Sequence, residues 1–108
     1  MTDDLRERFR QRGALWPWIT ATGAKLVFVR FTGGVAAEIS ALAAMRRLET
    51  GRKRGWGSLP VEARIGETRW RTSIFPGDEA TWLLPIKRAV RDAEALVEGD
   101  QADVEIGL

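Results

Sequence analysis

The sequence predicts a mainly β domain with two helices, in which six short strands form a closed or nearly closed barrel whose ends are covered by the helices. Three observations support this fold class. Short segments alternate apolar and polar residues, two segments have helical spacing, and the order strand, strand, helix, strand occurs twice. Two copies of one unit indicate a pseudo-two-fold arrangement. A nucleotide-binding parallel sheet is not predicted, because no phosphate-binding glycine fingerprint opens either helix.

The first unit begins with a strand over residues 9–18, and Pro17 indicates that this strand ends there or lies at an edge. Residues 25–31 are rich in β-favouring side chains and predict the second strand. Residues 35–49 predict the first helix, because apolar side chains recur there at helical spacing. The predicted buried stripe of this helix consists of Val35, Ile39, Leu42 and Met45.

A β-hairpin joins the two units. Residues 58–65 alternate strictly, Gly66-Glu67 follows, and residues 68–75 run back. Glycine at the first central position is what a type II′ two-residue turn requires, so we expect a positive φ at Gly66. The predicted inward pairs are Ile65 with Thr68, Ala63 with Trp70, Val61 with Thr72 and Leu59 with Ile74. The predicted outward pairs are Glu62 with Arg71 and Arg64 with Arg69.

The second unit continues with a strand over residues 80–84 and a second helix that Pro85 opens, since proline suits the first helical position. The predicted buried stripe of this helix consists of Ile86, Val90, Ala93 and Val97. Residues 102–108 alternate again and predict the last strand. We expect Trp70 and Trp82 to lie in the core, because both occupy inward positions.

Composition limits the chemistry of the chain. Its 108 residues suit one domain, predicted over residues 9–108 after a flexible N-terminus at residues 1–8. There is no histidine, cysteine or tyrosine, which excludes imidazole bases, thiolate nucleophiles and the usual zinc ligands. We therefore expect no metal and no cofactor. The absence of cysteine, of a signal peptide and of any bilayer-spanning apolar run favours a cytoplasmic protein with no membrane partner.

One candidate binding segment is basic and contains an aromatic residue that could stack on a base. It follows the first helix and includes Arg52, Lys53, Arg54 and Trp56. Such a segment is typical of an anion or nucleic-acid patch. The alternative is a solvated loop, since the net charge of the chain is only +2.

A second candidate lies on the outward face of the hairpin. Arg64 opposite Arg69 costs free energy unless solvent or an anion separates the two charges. Together with Arg71, Ser73 and Lys87, this pair would bind a carboxylate or a phosphate. The alternative is a solvated face with Glu62 as the partner of the arginines.

The hairpin and the second helix also resemble a known family. The residues that carry the resemblance are the stretches Gly55-Trp56-Gly57-Ser58-Leu59, 65–76, 83–91 and Glu98-Gly99-Asp100. They are similar to the bacterial domain-of-unknown-function family numbered nineteen-oh-five. The resemblance implies a double-split β-barrel, similar in fold to the swapped-hairpin transcription regulators and antitoxins, which build the barrel as homodimers. It implies no activity.

The sequence therefore leaves three hypotheses of function. The first is a non-enzymatic binding or interaction module that presents an arginine-rich surface to a partner. The second is a nucleic-acid-binding regulator by analogy of fold. The third is a small-anion-binding domain or an enzyme that uses Lys87 and carboxylates. The partner would be a small anion, a protein or a nucleic acid, and the chain would be a monomer or a weak homodimer.

Overall fold

The computed structural model describes residues 6–50 and 57–108. The predicted class, mainly β with two helices, is confirmed, but the described residues form seven strands. The strands are β1 (Arg8–Ala14), β2 (Trp16–Ile19), β3 (Lys25–Phe31), β4 (Leu59–Ile65), β5 (Thr68–Pro76), β6 (Trp82–Pro85) and β7 (Gln101–Gly107). The helices are α1 (Gly33–Thr50) and α2 (Arg88–Ala93). Neither helix of the described part combines the length and the apolar character needed to cross a membrane.

The strands form one curled antiparallel sheet in the order β1-β7-β4-β5-β6-β3-β2. Its two edge strands, β1 and β2, are consecutive in the chain and are separated only by Leu15. The predicted single strand over residues 9–18 is therefore wrong, because the chain leaves β7 at Leu15 and continues beside β3. Leu15 is buried, and its N–H donates to the Asp100 carbonyl oxygen at 2.9 Å. The edge position predicted for Pro17 is confirmed.

The predicted hairpin is confirmed in register and in turn. β4 pairs with β5 from Leu59 opposite Ile74 to Ile65 opposite Thr68, and Arg64 faces Arg69. Gly66 has a φ of 56°, in the left-handed region that favours glycine. Alternation places Val61, Ala63 and Ile65 in the core, and a slip of one residue would expose all of them.

The core lies between the curled sheet and α1. Trp70 and Trp82 are buried as predicted, and the Trp82 Nε1–H donates to Ser40 Oγ on α1 at 3.0 Å. The predicted stripe of α1 is wrong at Met45, which is 58% exposed. The residues of α1 that are buried are Ala36, Ile39 and Ala43.

The predicted start of the second helix is wrong, and its predicted stripe is only partly confirmed. Pro85 is the last residue of β6 and does not open a helix. The next residue, Ile86, is buried, and its N–H donates to the Val27 carbonyl oxygen at 2.8 Å. Strand pairing thus continues past the proline, and α2 begins only at Arg88. Of the predicted stripe, Ile86 and Val90 are buried, but Ala93, the last residue of the helix, and Val97, which lies beyond it, are exposed.

Candidate functional site

Arginines dominate the outward side of the four strands β1, β7, β4 and β5. Alternation explains this placement: on β7, for example, Ala102, Val104 and Ile106 are buried in the core. The residues between the buried ones then point outward with their cross-strand partners. We call the resulting charged surface the arginine face; it consists of Arg8, Arg10, Arg12, Glu62, Arg64, Arg69, Arg71, Asp103 and Glu105.

One row of side chains crosses all four strands of this face. Arg10 lies opposite Glu105, Glu105 opposite Arg64, and Arg64 opposite Arg69. The row therefore contains three guanidinium groups and one carboxylate. It joins the first strand, the last strand and the central hairpin.

Glu105 is the charged centre of the row. It is only 7% exposed, and it is the only charged residue among the buried side chains of the described chain. Arg10 Nε lies 2.9 Å, Arg64 Nε 3.2 Å and Arg8 Nη1 3.8 Å from its carboxylate oxygens. The hydrogen bond from Arg10 and the charges of Arg10, Arg64 and Arg8 hold the pKa of Glu105 below its ordinary value, although burial acts in the opposite direction.

The remaining carboxylates of the face have their own partners. Arg12 Nη1 lies 3.0 Å from Asp103 Oδ2, and Arg6 Nη1 lies 3.2 Å from Glu62 Oε1. In the part of the chain that the structure describes, neither Arg69 nor Arg71 makes an ion pair, and both are exposed. The face therefore contains exposed guanidinium groups that its own carboxylates do not neutralise.

A cleft of about 530 Å³ opens on the arginine face. Its lining combines three arginines with two carboxylates and the hairpin turn, and consists of Arg10, Gln11, Arg12, Arg64, Gly66, Asp103, Val104 and Glu105. Guanidinium groups present planar pairs of N–H donors that match carboxylate and phosphate oxygens. In this cleft each of the three arginines pairs with Glu105 or Asp103, and an anion would share these guanidinium groups with the two carboxylates. The described residues hold no cluster of acidic side chains that could ligate a metal ion.

The residues predicted from the hairpin are brought together only in part. Arg64, Arg69 and Arg71 lie on the arginine face, and Ser73 lies on the same side of β5, opposite Pro60. Lys87 lies elsewhere, at an exposed position that directly precedes α2. The other candidate residues, Arg52, Lys53, Arg54 and Trp56, are outside the described residues.

Sequence reasoning did not assign Arg8, Arg10, Arg12 and Glu105 to the site. A local signal was present, since arginine occupies every second position from Arg8 to Arg12. That alternation places the three arginines on one side of a strand. It does not reveal that this strand pairs with the last one, 91 to 95 residues away along the chain.

The outward side of β2, β3 and β6 differs from the arginine face because it is mostly apolar. We call it the aromatic face; it consists of Trp16, Trp18, Leu26, Phe28 and Leu83. The Arg30 guanidinium carbon lies 3.8 Å from the centre of the Trp16 ring, a cation–π contact. A second cleft, of about 630 Å³, is lined by Trp18, Phe28, Arg30, Leu83 and the turn at residues 76–81.

The fold and these two surfaces define a small antiparallel β domain with a charged and an aromatic outer face. The family model of a domain of unknown function, DUF1905, matches residues 12–106. Because this match covers most of the chain, the protein belongs to that family, and the resemblance found in its motifs is confirmed. A search of curated proteins found no match to the chain. The description of the family names no activity.

Proposed function

We propose that this domain is a non-enzymatic binding module whose arginine face accepts an anionic partner. The observation that carries the proposal is the direct opposition of Arg64 and Arg69, one pair away from the turn of a well-paired hairpin. Like charges at directly opposed positions destabilise a sheet. A fold that keeps such a pair on its surface is suited to an anion that binds between the two charges.

The charge balance of the face supports the same proposal. It has six arginines against three carboxylates, and Glu105 alone is shared by Arg8, Arg10 and Arg64. Glu105 thus fixes the orientation of the guanidinium groups that it contacts. The exposed guanidinium groups of Arg69 and Arg71 remain for the partner. Arg69 and Arg71 carry charge into solvent at the edge of this arrangement. Phosphate, sulfate and carboxylate groups are the anions that match it.

We also propose that the strands close into a six-stranded double-split barrel capped by the two helices. The support comes from two stretches of the chain that change their pairing partner. Residues 8–14 pair with β7 and residues 16–19 with β3, while β5 pairs first with β4 and then, at Phe75 and Pro76, with β6. A closed barrel would keep the arginine face rigid, and residues 9–108 would act as one cytoplasmic domain.

The experiment measures the affinity of labelled heparin by fluorescence anisotropy between about 50 mM and about 200 mM salt. Arg69→Gln and Arg71→Gln should each weaken binding severalfold and lower the slope of log affinity against log salt by about one. Arg88→Gln is the matched control, because Arg88 is an exposed arginine on α2. Equal losses in all three variants would show nonspecific attraction and would contradict a site on this face.

A further inference from the structure

The outward side chains of residues 8–19 change from charged to aromatic along one stretch of chain. Arg8, Arg10 and Arg12 point outward from β1, and Trp16 and Trp18 continue the same alternation on β2. We call these five residues the outward stripe. They connect the arginine face to the aromatic face across the break at Leu15.

The tryptophans of the outward stripe are unusually accessible. Trp16 is 45% and Trp18 is 57% exposed, whereas Trp70 and Trp82 are buried. Phe28 lies opposite Trp16 and Leu26 opposite Trp18, so the indole rings lie in an apolar surface that faces solvent. Large exposed aromatics clustered in this way are typical of a binding surface.

One side chain of the protein itself, Arg30, packs on this aromatic surface. Its guanidinium group, which is planar, lies over the Trp16 ring. β1 and β3 lie close together at Gly13. A Cβ added to this glycine would lie 3.0 Å from Val29 Cγ1 and 3.7 Å from the Arg30 carbonyl oxygen. Guanidinium groups and aromatic rings therefore occur side by side where the two faces meet.

We propose that the outward stripe, together with Phe28, binds single-stranded nucleic acid. Bases would stack on Trp18 and Phe28, and phosphates would bind the exposed edges of Arg8, Arg10 and Arg12, beside the ion pairs of these arginines with Glu105 and Asp103. This inference rests on the proposed function, since it names the anionic partner. Single strands present alternating phosphates and unpaired base faces, which match a surface that combines cations with stacking aromatics. A duplex offers the phosphates but keeps its base faces stacked inside, so it would not use the tryptophans.

The second cleft extends this surface. It begins at Trp18 and Phe28 and ends at the turn that contains Asp78 and Glu79. Its volume of about 630 Å³ leaves room for a base beside the aromatic rings. Carboxylate oxygens at its far end are acceptors for the exocyclic amino groups of bases.

The test compares four probes: a labelled single-stranded oligonucleotide of mixed sequence, whose bases include those with exocyclic amino groups, the same oligonucleotide annealed to its complement, heparin and polyglutamate. Trp18→Leu keeps an apolar side chain but removes the stacking ring. It should weaken binding of the single strand roughly tenfold and leave the salt slope and the heparin affinity unchanged. Val97→Ala is the control, because Val97 is another exposed apolar residue outside the outward stripe. It should bind every probe like the native protein.

Four outcomes separate this inference from the proposed function. A selective loss of single-strand binding in Trp18→Leu supports both. Unchanged single-strand binding in Trp18→Leu, with weaker heparin binding in Arg69→Gln, overturns the nucleic-acid inference and retains the anionic partner. Tighter binding of polyglutamate than of the oligonucleotide also overturns the inference and indicates an acidic protein. A native protein that binds none of the four probes at low salt overturns both.

Discussion

Arg10 donates a hydrogen bond from Nε to Oε2 of Glu105 at 2.9 Å, and this contact joins two residues that are 95 positions apart in the chain. It connects β1 to the last strand at the centre of the arginine face. The same carboxylate also contacts Arg64 of the hairpin, so one buried acid links three separate parts of the sheet. Glu105 is therefore both a structural link and the group that orients the binding surface.

We predict that Glu105→Gln lowers the free energy of unfolding by roughly 1–3 kcal/mol at neutral pH, because hydrogen bonds to a charged group are lost in a buried position. The pKa of Glu105 is lower in the folded chain than its ordinary value of 4.5. Its ionised form therefore stabilises the fold above about pH 4.5, and this contribution disappears as the pH falls through the lowered pKa. Urea unfolding of both proteins across the acid range measures this effect.

Asp103→Asn is the control for Glu105→Gln, since the side chain of Asp103 is 78% exposed and pairs with Arg12, which is itself exposed. We expect it to change stability by less than about 1 kcal/mol at any pH. If the native protein and Glu105→Gln lost stability in parallel below pH 4.5, the lowered pKa of Glu105 would be contradicted.

We predict that Ala95→Gly stabilises the protein. Ala95, two residues after the end of α2, has a φ of 53°, and the N–H of the following Leu96 donates to the Arg91 carbonyl oxygen at 2.9 Å. This is the position at which helices commonly place a glycine, and a left-handed conformation costs other residues about 1–2 kcal/mol. Part of the gain is offset by the larger entropy of glycine in the unfolded chain, so we expect roughly 0.5–1 kcal/mol. Ala93→Gly, inside the same helix, should instead destabilise by about 0.5–1 kcal/mol.

We predict that Gly66→Val destabilises the hairpin by roughly 1–3 kcal/mol, because a β-branched residue tolerates positive φ poorly. A Cβ at this position would also collide with the carboxylate of Glu94, which accepts a hydrogen bond from Thr68 Oγ1 at 2.6 Å. Gly66→Asn should be milder, since asparagine adopts positive φ more readily. Gly34→Ala is the control, because a Cβ there meets nothing and its φ is not in the left-handed region. A Gly66→Val midpoint in urea equal to that of the native protein would refute the assigned turn.

We predict opposite roles for two tryptophans. Trp70→Ala should cost roughly 3–5 kcal/mol, the usual range for truncating a buried aromatic side chain. Trp18→Ala should cost less than about 1 kcal/mol, because the residue is largely exposed on an edge strand. Unfolding midpoints decide the matter. A loss under about 1 kcal/mol for Trp70→Ala would mean that its ring is not part of the core.

Local patterns in the sequence were sufficient for the hairpin and for the side of the sheet on which each residue lies. The turn at Gly66, the register from Leu59 to Ile74 and the burial of Trp70 all follow from alternation and from one glycine. These features depend on neighbouring residues alone, so no knowledge of distant partners is needed. The opposition of Arg64 and Arg69, which carries the proposed function, belongs to this group.

Tertiary structure alone decided which strands pair over long distances and where the observed element differs from the one that a local sequence pattern predicts. The pairing of β1 with β7 assembles the arginine face, and the change of partner at Leu15 places Trp16 and Trp18 beside β3. Pro85 ends a strand instead of opening a helix, since the N–H of the next residue, Ile86, donates to the Val27 carbonyl oxygen of the neighbouring strand. Alternation fixes the face of a side chain but not the strand beside it, since that choice depends on how the whole sheet curls and buries its apolar side.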